Sequence, residues 1–219
     1  MTLKNSTPWA SYDAESVKYF DIYSKLYFSN IHRQFIRFLP ESPNAKVLDI
    51  GSGSGRDALS LARRGYQVTA VEPSEKMLTL AKTKNNHKNI TWLTDCLPDL
   101  SSLNNNTYDF VLMSAIWMHI KPHERKSSLK RISSLLKEGS YLAITLRIGT
   151  PDLSRMMYPV SEEEFLTRSF ETSLDPIYIS KEIKDSLNRN EVMWKKIVLQ
   201  KNKKTYSIPT EPANKLYKI

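Results

Sequence analysis

The sequence predicts an α/β fold: a mostly parallel sheet with helices on both faces and an antiparallel strand pair near the C-terminal end. Two observations carry this. Between Lys46 and Ile148, short apolar or β-branched runs alternate with amphipathic runs, the pattern of strands joined by right-handed helical crossovers. Of only six glycines, three (Gly51, Gly53 and Gly55) fall within five residues directly after the first strand-like run. The others, Gly65, Gly139 and Gly149, each follow a predicted element, where a left-handed cap or tight turn is useful.

Taken in order, residues 9–39 read as a helix pair ended by Pro40, with Tyr12, Tyr19, Tyr23, Phe28, Ile31, Phe35 and Phe38 forming an aromatic stripe suited to packing on a sheet. Residues 46–50 (KVLDI) are a strand, and residues 55–64 a helix stopped by Gly65. Residues 66–71 are a strand, and residues 74–84 a helix with Ser74 placed as N-cap. Residues 90–93 and 108–113 are strands; residues 122–137 form a basic amphipathic helix with Pro122 near its start. Residues 140–148 are a strand, and residues 161–170 a helix whose Ser161 and Glu164 have capping-box spacing. Residues 176–182 and 191–200 are strands with no long helix between them, hence the antiparallel pair, and residues 201–219 are an irregular tail. This divides the chain into an N-terminal helical cap (1–45), a ligand-binding domain (46–200) and a C-terminal tail (201–219).

Composition narrows the class. The 219 residues are 40% hydrophobic and 25% charged, enough for a sizeable core and unlike a disordered or fibrous chain. The single cysteine, Cys96, excludes an intrachain disulfide and fits a reducing compartment. The first residues show neither an apolar run nor a secretory cleavage pattern, and no stretch approaches the ~20 apolar residues of a membrane span. A cytoplasmic location is the expectation. The net charge of +9 is uneven, with +6 of it in residues 181–219. Such a basic end suits either solvation or an anionic partner such as nucleic acid.

The segment Val47-Leu48-Asp49-Ile50-Gly51-Ser52-Gly53-Ser54-Gly55 leaves a strand and enters a helix, where glycines let the backbone turn sharply and approach a ligand. A phosphate loop needs Gly-Lys-Ser/Thr at its end, and here Gly55 is followed by Arg56 and Asp57. The dinucleotide fingerprint needs a glycine where Arg56 stands. What remains is Gly-x-Gly-x-Gly led by Asp49, an arrangement suited to a ligand carrying a cation, which a carboxylate faces directly or through water. Glu72, directly after the second strand, is placed to accept two ribose hydroxyl bonds. Asp95, after the third, is placed to accept from an adenine amino group, with Cys96 and Leu97 offering backbone contacts.

VLDIGSGSGRDA, GYQVTAVEPSEKML, TDCLPDL and YDFVLMSAIWMHI, in that order and spacing, resemble the class I S-adenosylmethionine-dependent methyltransferases, in a small bacterial methyltransferase-domain form. The resemblance runs from about Lys46 to Ile148 and implies a Rossmann-like, seven-stranded sheet with S-adenosyl-L-methionine as cofactor. By resemblance Asp49, Gly51 and Gly53 hold the methionine part, Glu72 the ribose and Asp95 the adenine; Ser52, Arg56, Pro73, Met77, Cys96, Leu97, Ser114 and His119 complete the implied cofactor set.

Methyl transfer from a sulfonium asks the protein to align donor and acceptor, exclude water and, where needed, remove a proton. Ser114 to His119 follow the fourth strand and point at the methyl group in this fold, which makes His119 a candidate base or positioning residue. Trp117 is read as a wall of the adenine or substrate site, or as core, and Arg147 as a carboxylate-binding or sheet-edge arginine. Tyr12, Tyr19, Arg155, Met157 and Tyr158 are the candidate acceptor pocket or lid, by fold analogy. No Asn-Pro-Pro-Tyr run, no Pro-Cys nucleophile motif and no metal-spaced Cys/His cluster is present. The expected activity is therefore methylation of a small-molecule oxygen or nitrogen. One alternative is an RNA methyltransferase gripping phosphates through the basic tail and through Lys121, Arg125, Lys126, Lys130, Arg131 and Lys137. The other is a cofactor-binding pseudoenzyme that acts as a regulator.

Overall fold

The computed structural model describes residues 7–103 and 108–202. Strands β1 (Lys46–Ile50), β2 (Gln67–Val71), β3 (Ile90–Leu93), β4 (Tyr108–Met113), β5 (Leu136–Ile148), β6 (Leu174–Ile179), β7 (Ile183–Lys184) and β8 (Met193–Lys201) form one sheet. Its order is β3-β2-β1-β4-β5-β8-β6, with the two-residue β7 also on β8. The first five strands are parallel, and β8 runs antiparallel to both β5 and β6. The order reverses beside β1, so β1 and β4 diverge into helices on opposite sides and leave a crevice at their carboxyl ends.

Alternation along the strands builds two cores. Leu48, Ile50, Val111 and Met113 face one side, joined by Leu129, Ile132 and Leu135 of α6 (Arg125–Leu135) and Phe165 of α7 (Glu162–Phe170). Val47, Phe110 and Leu112 face the other, joined by Ala58, Leu61 and Ala62 of α4 (Arg56–Arg63). Helix α5 (Glu75–Lys84) starts where expected: the Ser74 hydroxyl accepts from the Met77 N–H at 3.2 Å. Ser161 caps α7 in the same way through the Glu164 N–H.

Three differences from the sequence reading have local causes. The expected N-terminal helix pair is four short pieces: Ala10–Ala14, Ser16–Ser24, Phe28–Ile31 and a 3-10 turn over Arg33–Phe38. None has a side-chain N-cap, and their course is set by tertiary bonds, Asp13 to Ser74 and His32 to Asp57. The expected helix 122–137 ends at Leu135, and β5 begins at Leu136 rather than at residue 140. Its register jumps between the Tyr108–Leu136 and Phe110–Tyr141 pairs, with Gly139 at φ 77° in the interruption. The last two expected strands are three, and Pro176 sits in β6 at the sheet edge, where a missing N–H is tolerated. Of the basic tail, residues 203–219 lie outside the described residues. Among the described residues no helix is long and apolar enough to cross a membrane.

Candidate active site

A cavity of about 480 Å³ opens at the carboxyl ends of β1, β2 and β4 and reaches under the N-terminal helices. The glycine turn forms its floor. The N–H groups of Gly51 and Ser52 both donate to the Val71 carbonyl, at 2.8 and 2.9 Å, which ties the turn to β2. Gly51 has φ 69°, and a Cβ there would lie 2.2 Å from Ile116 Cδ1, so the turn closes only with glycine. Gly53 also has positive φ, but its Cβ direction meets nothing nearer than 4.0 Å. It faces open cavity, leaving room for a ligand against the backbone.

Three carboxylates follow the first three strands, each in a different state. Asp49 is only 1% exposed and its Oδ2 has no hydrogen-bond partner among the described residues. Burial, then the neighbouring Asp57 charge, raises its carboxyl well above the usual range. Glu72 accepts the Gly53 N–H on Oε2 at 2.8 Å and the Ser74 N–H on Oε1 at 3.0 Å. Burial pushes it up to about 7. Asp95 turns back on its own loop, accepting the Cys96 N–H (2.7 Å) on Oδ1 and the Ser102 N–H and hydroxyl (2.6 Å each) on Oδ2. Those bonds outweigh partial burial and hold it below its ordinary value.

Across the cavity, His119 and Tyr12 meet at 3.0 Å, Nε2 to Oη. The Arg155 Nη2 donates to the oxygens of Tyr12 and Tyr23. Because a guanidinium only donates, the Tyr12 proton is directed to His119 Nε2, and the ring proton sits on Nδ1. Burial and then the Arg155 charge push His119 down to about 4, so the ring is neutral across the physiological range. Behind the glycine turn, the Asp57 carboxylate receives Arg56 Nε at 3.1 Å and the buried His32 Nε2 at 3.0 Å. Against the cost of burial, the Arg56 charge and the hydrogen bonds from His32 and Arg56 hold Asp57 well below its ordinary value.

The structure brings Gly51, Ser52, Gly53, Arg56, Glu72, Pro73, Met77, Asp95, Cys96, Leu97, Ser114, His119, Tyr12 and Arg155 to the cavity wall. Six other candidates stand elsewhere. Asp49 lies behind the turn, because odd and even positions of β1 face opposite sides. Trp117 is wholly buried, edge-on to Phe165 at 5.0 Å between ring centroids, and is core. Tyr19 packs behind Tyr12, with its ring 4.8 Å away. Tyr158 is off the wall, held by its N–H to the Met118 carbonyl at 2.7 Å. Arg147 is also off it, with Nη1 on the Thr150 carbonyl at 2.7 Å. Met157 is buried away from the cavity. The sequence reading missed Tyr23, Asp185, Arg189, Trp194 and Lys196, which wall the far end. They come from a helix and from the β7–β8 segment, and the one local signal was the Asp185/Arg189 spacing of four.

The basic helix is less free than its composition suggests. Arg125 is buried against Glu164 at 2.9 Å, and Arg131 is bonded to the carbonyls of Asp99, Leu100 and Leu103. Lys121, Lys126 and Lys137 pair with Glu124, Glu171 and Asp109.

The model of the methyltransferase domain family matches residues 47–139. TehB of Haemophilus influenzae is 27% identical over 135 residues, covering 61% of this chain and 47% of the relative. A methyltransferase of Staphylococcus carnosus, itself uncharacterized, is 28% identical over 142 residues, covering 62% of this chain and 63% of the relative. A TehB-like S-adenosylmethionine-dependent methyltransferase structure from Corynebacterium glutamicum superposes with a TM-score of 0.67 at 16% identity, covering 88% of this chain and 99% of the other. Over residues 47–139, fold, glycine turn and family match together identify a methyltransferase domain of the class I, Rossmann-like, S-adenosylmethionine-dependent type. The chain spans about half the length of the first of these curated relatives.

Proposed function

We propose that this protein transfers a methyl group from S-adenosylmethionine to an oxygen or nitrogen of a small-molecule acceptor. The observation that carries the reading is a single cavity joining the glycine turn and two strand-end acids to a far wall roofed by the N-terminal helices. The residues fit the cofactor. The open space over Gly53 suits a methionine chain. Each Glu72 oxygen, accepting one backbone bond, keeps a lone pair for a ribose hydroxyl. Asp95, Cys96 and Leu97 border the adenine position, with Asp95 Oδ1 the freer of its two oxygens. When bound, the cofactor supplies an electrophilic methyl group on a sulfonium.

The chain then has to orient the acceptor and exclude water. His119 supports positioning first, since Tyr12 already donates to its Nε2. Displacing Tyr12 frees that nitrogen to accept the proton lost by an oxygen or nitrogen nucleophile. The internal pairing of the α6 cations favours a small acceptor over RNA. The test is incubation of the protein with methyl-labelled cofactor and a cell extract, fractionated into small molecules, RNA and protein. Label in the small-molecule fraction is expected; label confined to RNA overturns the reading.

A further inference from the structure

At the far end of the cavity one carboxylate, Asp185, is paired with Arg189, and two further guanidiniums, Arg155 on the wall and Arg147 off it, stand near that pair. Arg189 takes Asp185 in a two-point pair, Nη2 to Oδ1 at 2.7 Å and Nε to Oδ2 at 2.9 Å. Asp185 also accepts Trp194 Nε1 at 2.7 Å and the backbone N–H groups of Leu187 and Arg189. It is fully used.

Arg155 and Arg147 have no such partner. The side-chain bonds of Arg155 go to the neutral oxygens of Tyr12 and Tyr23, and its Nε is buried without an acceptor among the described residues. Arg147 donates to one backbone carbonyl, and its Nε is likewise buried and unpartnered. Burial and the charges of Arg189 and Arg155 push Arg147 below its ordinary value, which marks the three guanidiniums as mutually repelling neighbours. Of the other acids near them, Asp152 caps its own turn through Ser154, and Glu15, near Arg155, pairs with Lys18. Lys196, 5% exposed on the same wall, also has only neutral partners, Ile31 O and Gln34 Oε1. Arg147 and Arg155 are half-buried, and a guanidinium N–H shut away from water without an acceptor is costly. Here the deficit is concentrated at the end of the cavity opposite the glycine turn.

We propose that the methyl acceptor carries an oxyanion, a carboxylate or phosphate-type group, and that Arg155 binds it at the cavity wall with Arg147 adding charge from behind. This rests on the methyltransferase reading. The anion would replace the tyrosine oxygens around Arg155, offering the planar, two-point acceptor that a guanidinium fits best. Releasing Tyr12 from Arg155 would also loosen Tyr12 from His119, so the acceptor's own charge would help free the histidine.

The test uses the full chain, loaded with the demethylated cofactor S-adenosylhomocysteine, and titrates benzoate, inorganic phosphate, benzamide and benzylamine by calorimetry. Saturable binding of benzoate or phosphate is expected, at least tenfold tighter than benzamide and with no benzylamine binding. Which of the two anions binds tells carboxylate from phosphate. Arg155→Gln should weaken anion binding at least tenfold while S-adenosylhomocysteine affinity and melting temperature stay near wild type; Arg147→Gln should weaken it less. Should Arg155→Gln fail to fold, the wild-type ranking of anion against amide and amine decides alone. Equal binding of the neutral or cationic probe, or an unchanged anion affinity in a folded Arg155→Gln, overturns the inference. Failure to bind S-adenosylhomocysteine would instead count against the methyltransferase reading.

Discussion

Glu72 couples cofactor binding, stability and pH in one side chain. Its carboxyl is 6% exposed and pushed from 4.5 up to about 7 by burial, against two backbone donors. The folded protein therefore binds a proton here that the unfolded chain releases above its ordinary value. The sign follows: between about pH 4.5 and 7 the folded state holds more protons, so this group's contribution to stability falls as pH rises. At 1.36 kcal/mol per unit, the loss is about 3 kcal/mol once Glu72 is ionised. Glu72→Gln removes the ionisation and also mismatches one of the two backbone donors, which adds a fixed offset. The informative quantity is thus the difference in unfolding free energy, wild type minus variant, measured by denaturant at several pH values without ligand. It should fall by about 3 kcal/mol from pH 4.5 to 7.5 whatever the offset. Ribose hydroxyls donate to the ionised form only, so wild-type cofactor affinity should be about 30-fold weaker at pH 5.5 than at pH 8. A pH-independent stability difference would show that Glu72 is not a buried, half-titrated acid. A flat cofactor affinity would show that it does not receive the ribose.

His119, held down at about 4, should leave turnover at saturating cofactor flat from pH 5.5 to 8, with a fall only near pH 4; a titration in turnover near pH 6.5 would contradict the Tyr12 and Arg155 contacts that surround it. Asp49→Asn removes a buried carboxylate that faces Asp57, so the free protein should gain stability at pH 8, read by melting; a loss of stability there would contradict the raised carboxyl. Gly149→Ala places a Cβ 2.2 Å from the Glu191 carbonyl at φ 127°, and should cost at least about 2 kcal/mol in a denaturant titration by forcing the β7–β8 segment off β5.

The central sheet was legible because its signals are local. Each strand from β1 to β5 is an apolar run between a cap and a turn, and the glycines fall where the backbone needs positive φ. The cluster of strand-end acids was legible for the same reason: parallel strands bring their carboxyl ends together, so Asp49, Glu72 and Asp95 fall at one end of the sheet by topology alone. Trp117 was not legible as core, since a residue just past a strand can point either way and only the packing of Phe165 against it decides. The basic helix misled in the same manner. Arg125 and Arg131 look like a charged face, but their partners Glu164 and the carbonyls of residues 99–103 come from distant segments.

The acceptor end was least legible, because it is made by the two parts of the chain farthest apart in sequence. Tyr12 and Tyr23 from the N-terminal helices meet Arg155, Asp185, Arg189 and Lys196 from beyond β5. The neighbours Tyr12 and Asp13 hold both ends at once: Tyr12 reaches His119, and Asp13 accepts the Ser74 hydroxyl at 2.6 Å beside Glu72. These polar attachments contribute about 1 kcal/mol each net, beside the apolar anchors of the same N-terminal segment, Phe28 and Phe35, in the core. The Ser74 hydroxyl that donates to Asp13 belongs to the residue whose N–H fixes the Glu72 carboxylate. On the proposed readings, cofactor binding at Glu72 and acceptor binding at Arg155 would act through the adjacent residues Asp13 and Tyr12 of one short helix, a coupling that follows from chain geometry and that no local motif encodes.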